Sequence, residues 1–97
     1  MSKTPKYKIE QTTIFKKDRK KAKKQNRNMD ELESIVKKLS YGEKLEAKYR
    51  DHKLHNNYEG YRECHINPDW LLIYRVYEDQ LILVLTRTGT HSELLDM

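Results

Sequence analysis

The spacing of apolar residues divides the chain into a helical first half and a strand-rich second half. Residues 13 to 26 carry a thin apolar stripe inside a basic run, and apolar positions recur at helical spacing from residue 29 to residue 39. The first pattern predicts a helix for which Thr12 and Thr13 are candidate N-caps, and the second predicts a helix with Asp30 as its N-cap. The two helices are expected to form a hairpin.

Short runs of alternating apolar and polar residues predict the strands. The expected strands cover residues 7 to 11 and about 58 to 66, 69 to 77 and 80 to 88. The spacers between the last three strands are short, which predicts antiparallel hairpins. Residues 43 to 57 show no clean period and are expected to form a long ordered loop, and residues 91 to 96 are expected to form a helical turn or a tail.

These elements predict an α+β fold in a single domain spanning residues 1–97. A chain of 97 residues supports one modest core. The expected architecture is an N-terminal strand and a helical hairpin packed on a mostly antiparallel sheet of about four strands. The pattern leaves open which face the helices cover, because one face presents Cys64 and Leu71 and the other presents Trp70 and Leu72.

Charge narrows the choice of partners. A net charge of +5 and a pI of about 9.3 favour nucleic acid, an anionic membrane surface or an acidic protein. The basic run at residues 16–24 fits contacts to a nucleic-acid backbone or an acidic partner, or a solvated helix face. No apolar run approaches the roughly 18 residues of a membrane span, the N-terminus lacks the apolar core of a signal peptide, and the single cysteine, Cys64, excludes an internal disulfide. A cytosolic protein is expected.

Strand register predicts that several polar side chains converge. If both hairpin loops contain an even number of residues, Trp70 opposes Arg87, and His65 lies on the same face of the sheet. A glycine between Arg87 and His91 lets the chain turn back toward that end. Asp69 lies in the corner of the first hairpin. An odd loop or a β-bulge would reverse the parity and undo this arrangement.

This set of residues has the groups needed for acid–base cleavage of a phosphodiester without a metal. Imidazole titrates near neutral pH, arginine suits the charge of the transition state, and tryptophan offers a plane on which a base can stack. His52 in the long loop adds a further imidazole. Each residue taken alone is also typical of a solvated surface or a core. A zinc site is not predicted, because the chain has no closely spaced pair of ligands such as His-x-x-x-His, and no cofactor is predicted.

Three segments resemble a known family. The strings YRDHKL at residues 49–54, GYRECHINPDWLLIYR at residues 60–75 and RTGTHSELL at residues 87–95 closely resemble the YafQ branch of the RelE-type toxins of bacterial toxin–antitoxin systems. The matches cover most of residues 49–95, and the N-terminal half agrees in layout rather than residue by residue. The combined pattern is specific, although no single segment would be.

The resemblance implies an endoribonuclease that cleaves mRNA in the ribosomal A site and is neutralised by a cognate antitoxin. The residues that match the family's catalytic positions are His52, His65, Asp69, Arg87 and His91. Trp70, Lys53 and Leu95 are assigned to substrate binding. Leu95 stands where close relatives often place an aromatic residue, so this position offers no ring on which a base could stack.

The resemblance also suggests roles. His65 or Asp69 would be the general base on the ribose 2′-hydroxyl, His91 the general acid, Arg87 the phosphate clamp, and His52 an aid to proton transfer or phosphate positioning. Contacts with 16S rRNA in the bacterial cytoplasm are expected, with operator DNA bound only through the antitoxin complex. A non-catalytic basic regulator and an inactive toxin remnant that still binds antitoxin or operator are the alternatives.

Overall fold

The computed structural model describes residues 4–95, apart from the side chain of residue 95. This part of the chain contains a five-stranded sheet and three α-helices. The strands are β1 (Lys8–Gln11), β2 (His52–Lys53), β3 (Arg62–Asn67), β4 (Trp70–Tyr77) and β5 (Ile82–Gly89). The helices are α1 (Thr13–Lys24), α2 (Met29–Ser40) and α3 (His91–Leu95). The predicted α+β class is confirmed, and the extra strand is β2, which lies within the segment expected to be a loop.

Both long helices begin at a side-chain cap. The Thr12 hydroxyl accepts a hydrogen bond of 2.9 Å from the backbone N–H of Phe15 at the start of α1. In α2 the cap is Asn28, whose side chain accepts a hydrogen bond of 3.1 Å from the backbone N–H of Glu31. Asp30 was predicted as this cap, and that prediction is wrong. Asp30 lies in the first helical turn, where its negative charge is favourable to the helix dipole.

The sheet has the strand order β1-β5-β4-β3-β2. β1 pairs in parallel with β5, and the other three pairs are antiparallel. Asn67 pairs with Trp70, so β3 and β4 are joined by two residues, and Tyr77 pairs with Ile82, so β4 and β5 are joined by four. Both loops therefore have the even length that the predicted convergence required.

A β-bulge in β3 nevertheless changes the register. His65 pairs with Leu71, whereas Asn67 pairs with Trp70, so two steps along β3 correspond to one step along β4. The extra residue is Ile66. Because a bulge shifts the alternation of side chains by one, His65 lies on the opposite face of the sheet from Trp70.

A second bulge in β5 changes the register again. Tyr74 pairs with Leu85, whereas Ile73 pairs with Arg87, which makes Thr86 the extra residue. Arg87 consequently shares the face of Ile73 rather than the face of Trp70. Since Leu71 and Ile73 are two residues apart in β4, the two bulges together keep His65 and Arg87 on one face.

Each face of the sheet carries its own apolar cluster. The helix residues Phe15, Leu32 and Ile35 pack with the sheet residues Cys64, Trp70, Leu72 and Leu83 in the main core. The other face carries a smaller cluster formed by Leu71, Ile73 and Leu94, the last of which comes from α3. The long helices thus cover the face that contains Trp70. None of the helices in residues 4–95 has the length and apolar composition needed to cross a bilayer.

Candidate active site

A buried carboxylate lies between two histidines on the face of the smaller apolar cluster. Glu63 is two residues from His65 in β3, and strand pairing places His52 of β2 directly opposite it. The Glu63 side chain is only 4% exposed, and its Oε1 is 3.4 Å from Nε2 of His52 and 3.7 Å from Nε2 of His65. The two imidazole centroids are 6.2 Å apart. The short strand β2 therefore brings His52 into the site.

The backbone orients the imidazole ring of His52. Its Nδ1 lies 2.7 Å from the carbonyl oxygen of Arg50. A carbonyl oxygen can only accept a hydrogen bond, so Nδ1 carries a proton and donates it to this oxygen. The other ring nitrogen, Nε2, faces Glu63. Arg50 has a φ of 51°, in the left-handed region, where a non-glycine residue is uncommon. This backbone turn directs the Arg50 carbonyl at the histidine ring.

Asp51 anchors the same segment to the sheet. Its Oδ1 accepts a hydrogen bond of 3.0 Å from Nε of Arg62, and its Oδ2 accepts one of 2.5 Å from the hydroxyl of Tyr74. Burial, together with the hydrogen bond to Asp51, raises the pKa of Tyr74 far above its usual range, so the hydroxyl stays protonated and donating. The residue before His52 is thus tied to two strands.

His65 is suited to accept a proton near neutral pH. Burial lowers its pKa below the usual value, the negative charge of Glu63 opposes that change, and the charges of Arg50, His52 and His91 lower the pKa further. The side chain remains 22% exposed, so a substrate can reach it. His65 is therefore predominantly neutral at pH 7.

Arg87 is held by a carboxylate from α1. Its Nε and Nη2 donate hydrogen bonds of 3.1 and 3.2 Å to the two oxygens of Asp18, and the backbone N–H of Thr88 donates one of 3.2 Å to the same carboxylate. The hydrogen bond with Asp18 is the main reason that the pKa of Arg87 is raised. The guanidinium therefore lies in a fixed orientation at the end of β5.

His91 is the exposed first residue of α3, and this short helix is capped and anchored. The backbone N–H of Glu93 donates a hydrogen bond of 3.3 Å to the Thr90 hydroxyl, and the Thr90 N–H donates one of 2.8 Å to Oε1 of Glu93, which is a capping box. An ion pair with Lys21 and the Thr90 N–H lower the pKa of Glu93 to about 2. Buried Leu94 packs α3 against the smaller cluster.

Trp70 does not belong to this site. Its side chain is 0% exposed within the main core, and the guanidinium of Arg27 lies 5.6 Å from its ring centroid. Its Nε1 has no hydrogen-bond partner among the described residues. The prediction that Trp70 shares a face with His65 and Arg87 and offers a stacking plane is wrong, because the two bulges place those two residues on the opposite face.

The other predicted residues lie at the margin of the site or outside the description. Asp69 is exposed in the hairpin corner, where its backbone N–H donates a hydrogen bond of 2.9 Å to Oδ1 of Asn67. Within residues 4–95 its carboxylate forms no ion pair with a histidine. Lys53 is exposed beside His52 in β2. The side chain of Leu95 lies outside the described residues.

Glu63 and Asp18 were missed by the sequence analysis, although each left a signal. Glu63 is an acidic residue two positions before His65 in a strand, so the two share a face. Asp18 is the single acidic residue within the basic run of α1.

Cys64 is fully buried, and burial strongly raises the pKa of its thiol, so it is a core residue. The described residues include no group of three or more His, Cys, Asp or Glu placed to hold a metal ion.

Comparison with known proteins identifies the class. The family profile described as "Bacterial toxin of type II toxin-antitoxin system, YafQ" matches residues 7–96, which places the protein among the toxins of bacterial type II toxin–antitoxin systems. Within that class, the chain belongs to the YafQ family. The resemblance inferred from the three sequence segments is confirmed.

Individual relatives agree over nearly the whole chain. The chain is 39% identical to an mRNA interferase toxin YafQ of Escherichia coli strain B / BL21-DE3 over 87 residues, which cover 89% of this chain and 92% of that protein. The toxin in the crystal structure of the E. coli DinJ-YafQ toxin-antitoxin complex matches with a TM-score of 0.84 and 37% identity over 92% of this chain and 97% of that one. A metal-bound toxin from Helicobacter pylori matches with a TM-score of 0.86 and 38% identity over 91% and 98% of the two chains.

Proposed function

We propose that this toxin is an endoribonuclease that inhibits translation by cutting mRNA in the ribosomal A site. The observation that carries the proposal is the grouping of His52 and His65 around buried Glu63, with Arg87 on the same face of the sheet. The name mRNA interferase, given to relatives that are 38% and 39% identical, supports the same activity.

The nucleophile is the ribose 2′-hydroxyl of the RNA itself. His65 accepts its proton, since burial keeps this imidazole neutral at pH 7. The O2′–P bond forms as the P–O5′ bond breaks, and His91 donates a proton to the leaving 5′-oxygen. The products are a 2′,3′-cyclic phosphate and a 5′-hydroxyl, so atoms and protons balance within the substrate and two imidazoles.

Charge around the reacting phosphate comes from several side chains. Arg87 binds the phosphate oxygens and stabilises the charge that develops on them. Glu63 stabilises the imidazolium that forms when His65 takes a proton, and His52 assists by positioning the phosphate or relaying a proton. Lys53 follows His52 in β2 and pairs with Arg62, so strand alternation directs it to the other face of the sheet, and it adds positive charge at the margin of the site. Asp69 is the alternative general base, since its exposed carboxylate lies in the corner that follows β3.

The partners follow from the family and from the charge of α1. A cognate antitoxin binds the toxin, as DinJ does in the E. coli complex, and operator DNA is bound only through that assembly. The lysines of α1 other than Lys21, which pairs with Glu93, face the phosphates of 16S rRNA on the ribosome, in the bacterial cytoplasm. Such contacts give affinity without reading sequence.

Cleavage of ribosome-bound mRNA tests the proposal. His65→Ala and His91→Ala should each lower the single-turnover rate by at least about a hundredfold, because general acid–base catalysis commonly contributes 10² to 10⁴ in rate. His55→Ala is the matched control, since His55 is an exposed histidine in the same loop region. The assay compares programmed ribosomes with free mRNA.

The outcome also separates catalysis from binding. If the wild type produces no specific scission on or off the ribosome yet binds RNA, the protein is a non-catalytic basic regulator. If it neither cuts nor arrests growth on expression but binds antitoxin, it is an inactive remnant. Wild-type cleavage by His91→Ala alone would remove His91 as the general acid and leave the enzyme assignment intact.

A further inference from the structure

The single acidic residue of α1 points into the molecule, unlike its basic neighbours. Asp18 is 13% exposed, and its partner Arg87, which lies 69 residues further along the chain, is 29% exposed. Asp18 is an isolated carboxylate in a strongly basic helix, and it faces inward toward Arg87, the residue predicted to bind phosphate. This placement indicates that Asp18 has a function of its own. Burial of such a charge is tolerated only when it is paired and hydrogen-bonded.

The geometry of the pair fixes the plane of the guanidinium. One oxygen of Asp18 accepts from Nε of Arg87 at 3.1 Å and from the backbone N–H of Thr88 at 3.2 Å, and the other accepts from Nη2 at 3.2 Å. The bond to the Thr88 backbone holds the carboxylate itself in place. Two parallel hydrogen bonds to one edge of the planar guanidinium set its orientation. Nη1 forms no hydrogen bond with the residues described here.

The carboxylate contacts Arg87 from the side of α1. Asp18, Arg87 and Glu93 line a cleft between α1 and the end of β5, and no histidine lines that cleft. Strand pairing places Arg87 on the same face of the sheet as His65. Asp18 therefore occupies the Nε–Nη2 edge of the guanidinium, whereas Nη1 is outside this contact.

We propose that Asp18 is a positioning residue, which holds Arg87 so that Nη1 remains available to the scissile phosphate. This inference rests on the proposed function, in which Arg87 binds that phosphate. A mobile arginine loses side-chain entropy when it binds, whereas an arginine already held by Asp18 has lost that entropy beforehand. Removing Asp18 should therefore slow cleavage, even though it makes the site more positive.

A double-mutant cycle on ribosome-bound mRNA tests this inference. Asp18→Asn should lower the single-turnover rate at least about tenfold, since small misplacements of a catalytic group can cost up to a hundredfold. In an Arg87→Ala background the same substitution should change the rate by less than about twofold, because the group that Asp18 positions is already absent. A purely structural role would slow both backgrounds equally.

The matched control is Glu33→Gln, which removes a different and more exposed ion pair of α1, the one between Arg19 and Glu33. It should leave the rate unchanged. Thermal unfolding of each variant shows whether it is folded. If Asp18→Asn does not fold, the wild type still tests the anchoring: the Arg87 Nε–H resonance, assigned by its loss in Arg87→Ala, should exchange with solvent more slowly than that of exposed Arg19.

Three results would overturn the inference. They are a cleavage rate for Asp18→Asn equal to or above that of the wild type, an equal loss in both backgrounds, and an Arg87 Nε–H that exchanges as fast as that of Arg19. If Asp18→Asn leaves the cleavage rate unchanged while Arg87→Ala still slows cleavage, the proposed function stands and only this inference is overturned. If Arg87→Ala has no effect, the phosphate-clamp assignment falls, and the Asp18 inference falls with it.

Discussion

Glu63 sets the chemistry of the candidate site at the scale of single residues. Its buried carboxylate is close to the Nε2 atoms of both His52 and His65. Burial lowers the pKa of His65 while Glu63 raises it in part, so the imidazole is neutral at pH 7 yet has a counter-charge ready when it takes a proton. The same carboxylate can thus keep the histidine in position and stabilise its charged form.

We expect Glu63→Gln to shift the acid limb of the cleavage profile. Loss of the negative charge removes the one influence that raises the pKa of His65, so the midpoint of the acid limb should move to lower pH. The plateau rate should fall, because the imidazolium formed during the reaction loses its counter-charge. The measurement is kcat/KM as a function of pH. A limb that moves to higher pH would contradict this reading of Glu63.

At the scale of secondary-structure elements, the site depends on two short segments that cannot be stable alone. β2 has two residues and α3 has five. Isolated pieces of this length gain little from their own backbone hydrogen bonds, so tertiary contacts must hold them. Asp51 ties the start of β2 to Arg62 and Tyr74, and a capping box with buried Leu94 holds α3.

Tyr74→Phe should destabilise the protein and loosen β2. It removes the 2.5 Å hydrogen bond from the buried hydroxyl to Asp51 and leaves that carboxylate with one donor fewer. The expected loss in the free energy of unfolding is about 1–3 kcal/mol, measured by urea denaturation. Tyr41→Phe is the control, since the Tyr41 hydroxyl forms no hydrogen bond with the described residues. An equal loss in both variants would show that the Asp51 contact is unimportant.

At the scale of the whole molecule, α1 connects the two ends of the candidate site. Asp18 of α1 holds Arg87 at the end of β5, and Lys21, one turn further along, forms an ion pair with Glu93 of α3. The basic helix is therefore more than a charged surface. Its inner side joins the elements that carry Arg87 and His91, so contacts made early in the chain organise residues near its end.

Stability should depend on pH through Glu93. Its folded-state pKa of about 2 lies below the ordinary 4.5, so the carboxylate stabilises the fold above pH 4.5, and this contribution is lost as the pH falls from 4.5 toward 2. Glu93→Gln should thus be less stable than the wild type at neutral pH, and the difference should vanish at low pH. The effect is modest because the side chain is 33% exposed.

Urea unfolding of the two proteins across this pH range measures the difference. Glu59→Gln is the control, because Glu59 is an exposed glutamate that forms no ion pair with the described residues. A stability difference between wild type and Glu93→Gln that stays constant from neutral pH to pH 2 would contradict the assignment.

Much of this molecule could be predicted from local patterns. The apolar spacing of residues 13–26 and 29–39 located both long helices, and the paired runs after residue 58 located the three long strands, because helices and hairpins depend on neighbours in sequence. The motif strings led to the family, and the profile match over residues 7–96 confirmed it. His65 and Arg87 were placed on one face, although by an argument that assumed no bulges.

The sequence by itself determined the α+β class, the family and the residue types available for chemistry. Only the tertiary structure decided which of them meet, because the bulges at Ile66 and Thr86 depend on how neighbouring strands pair and leave no mark in local periodicity. They put Trp70 in the core and left His65 beside Glu63. Pairing across many residues likewise placed Asp18 on Arg87, since a distant contact depends on packing rather than on spacing.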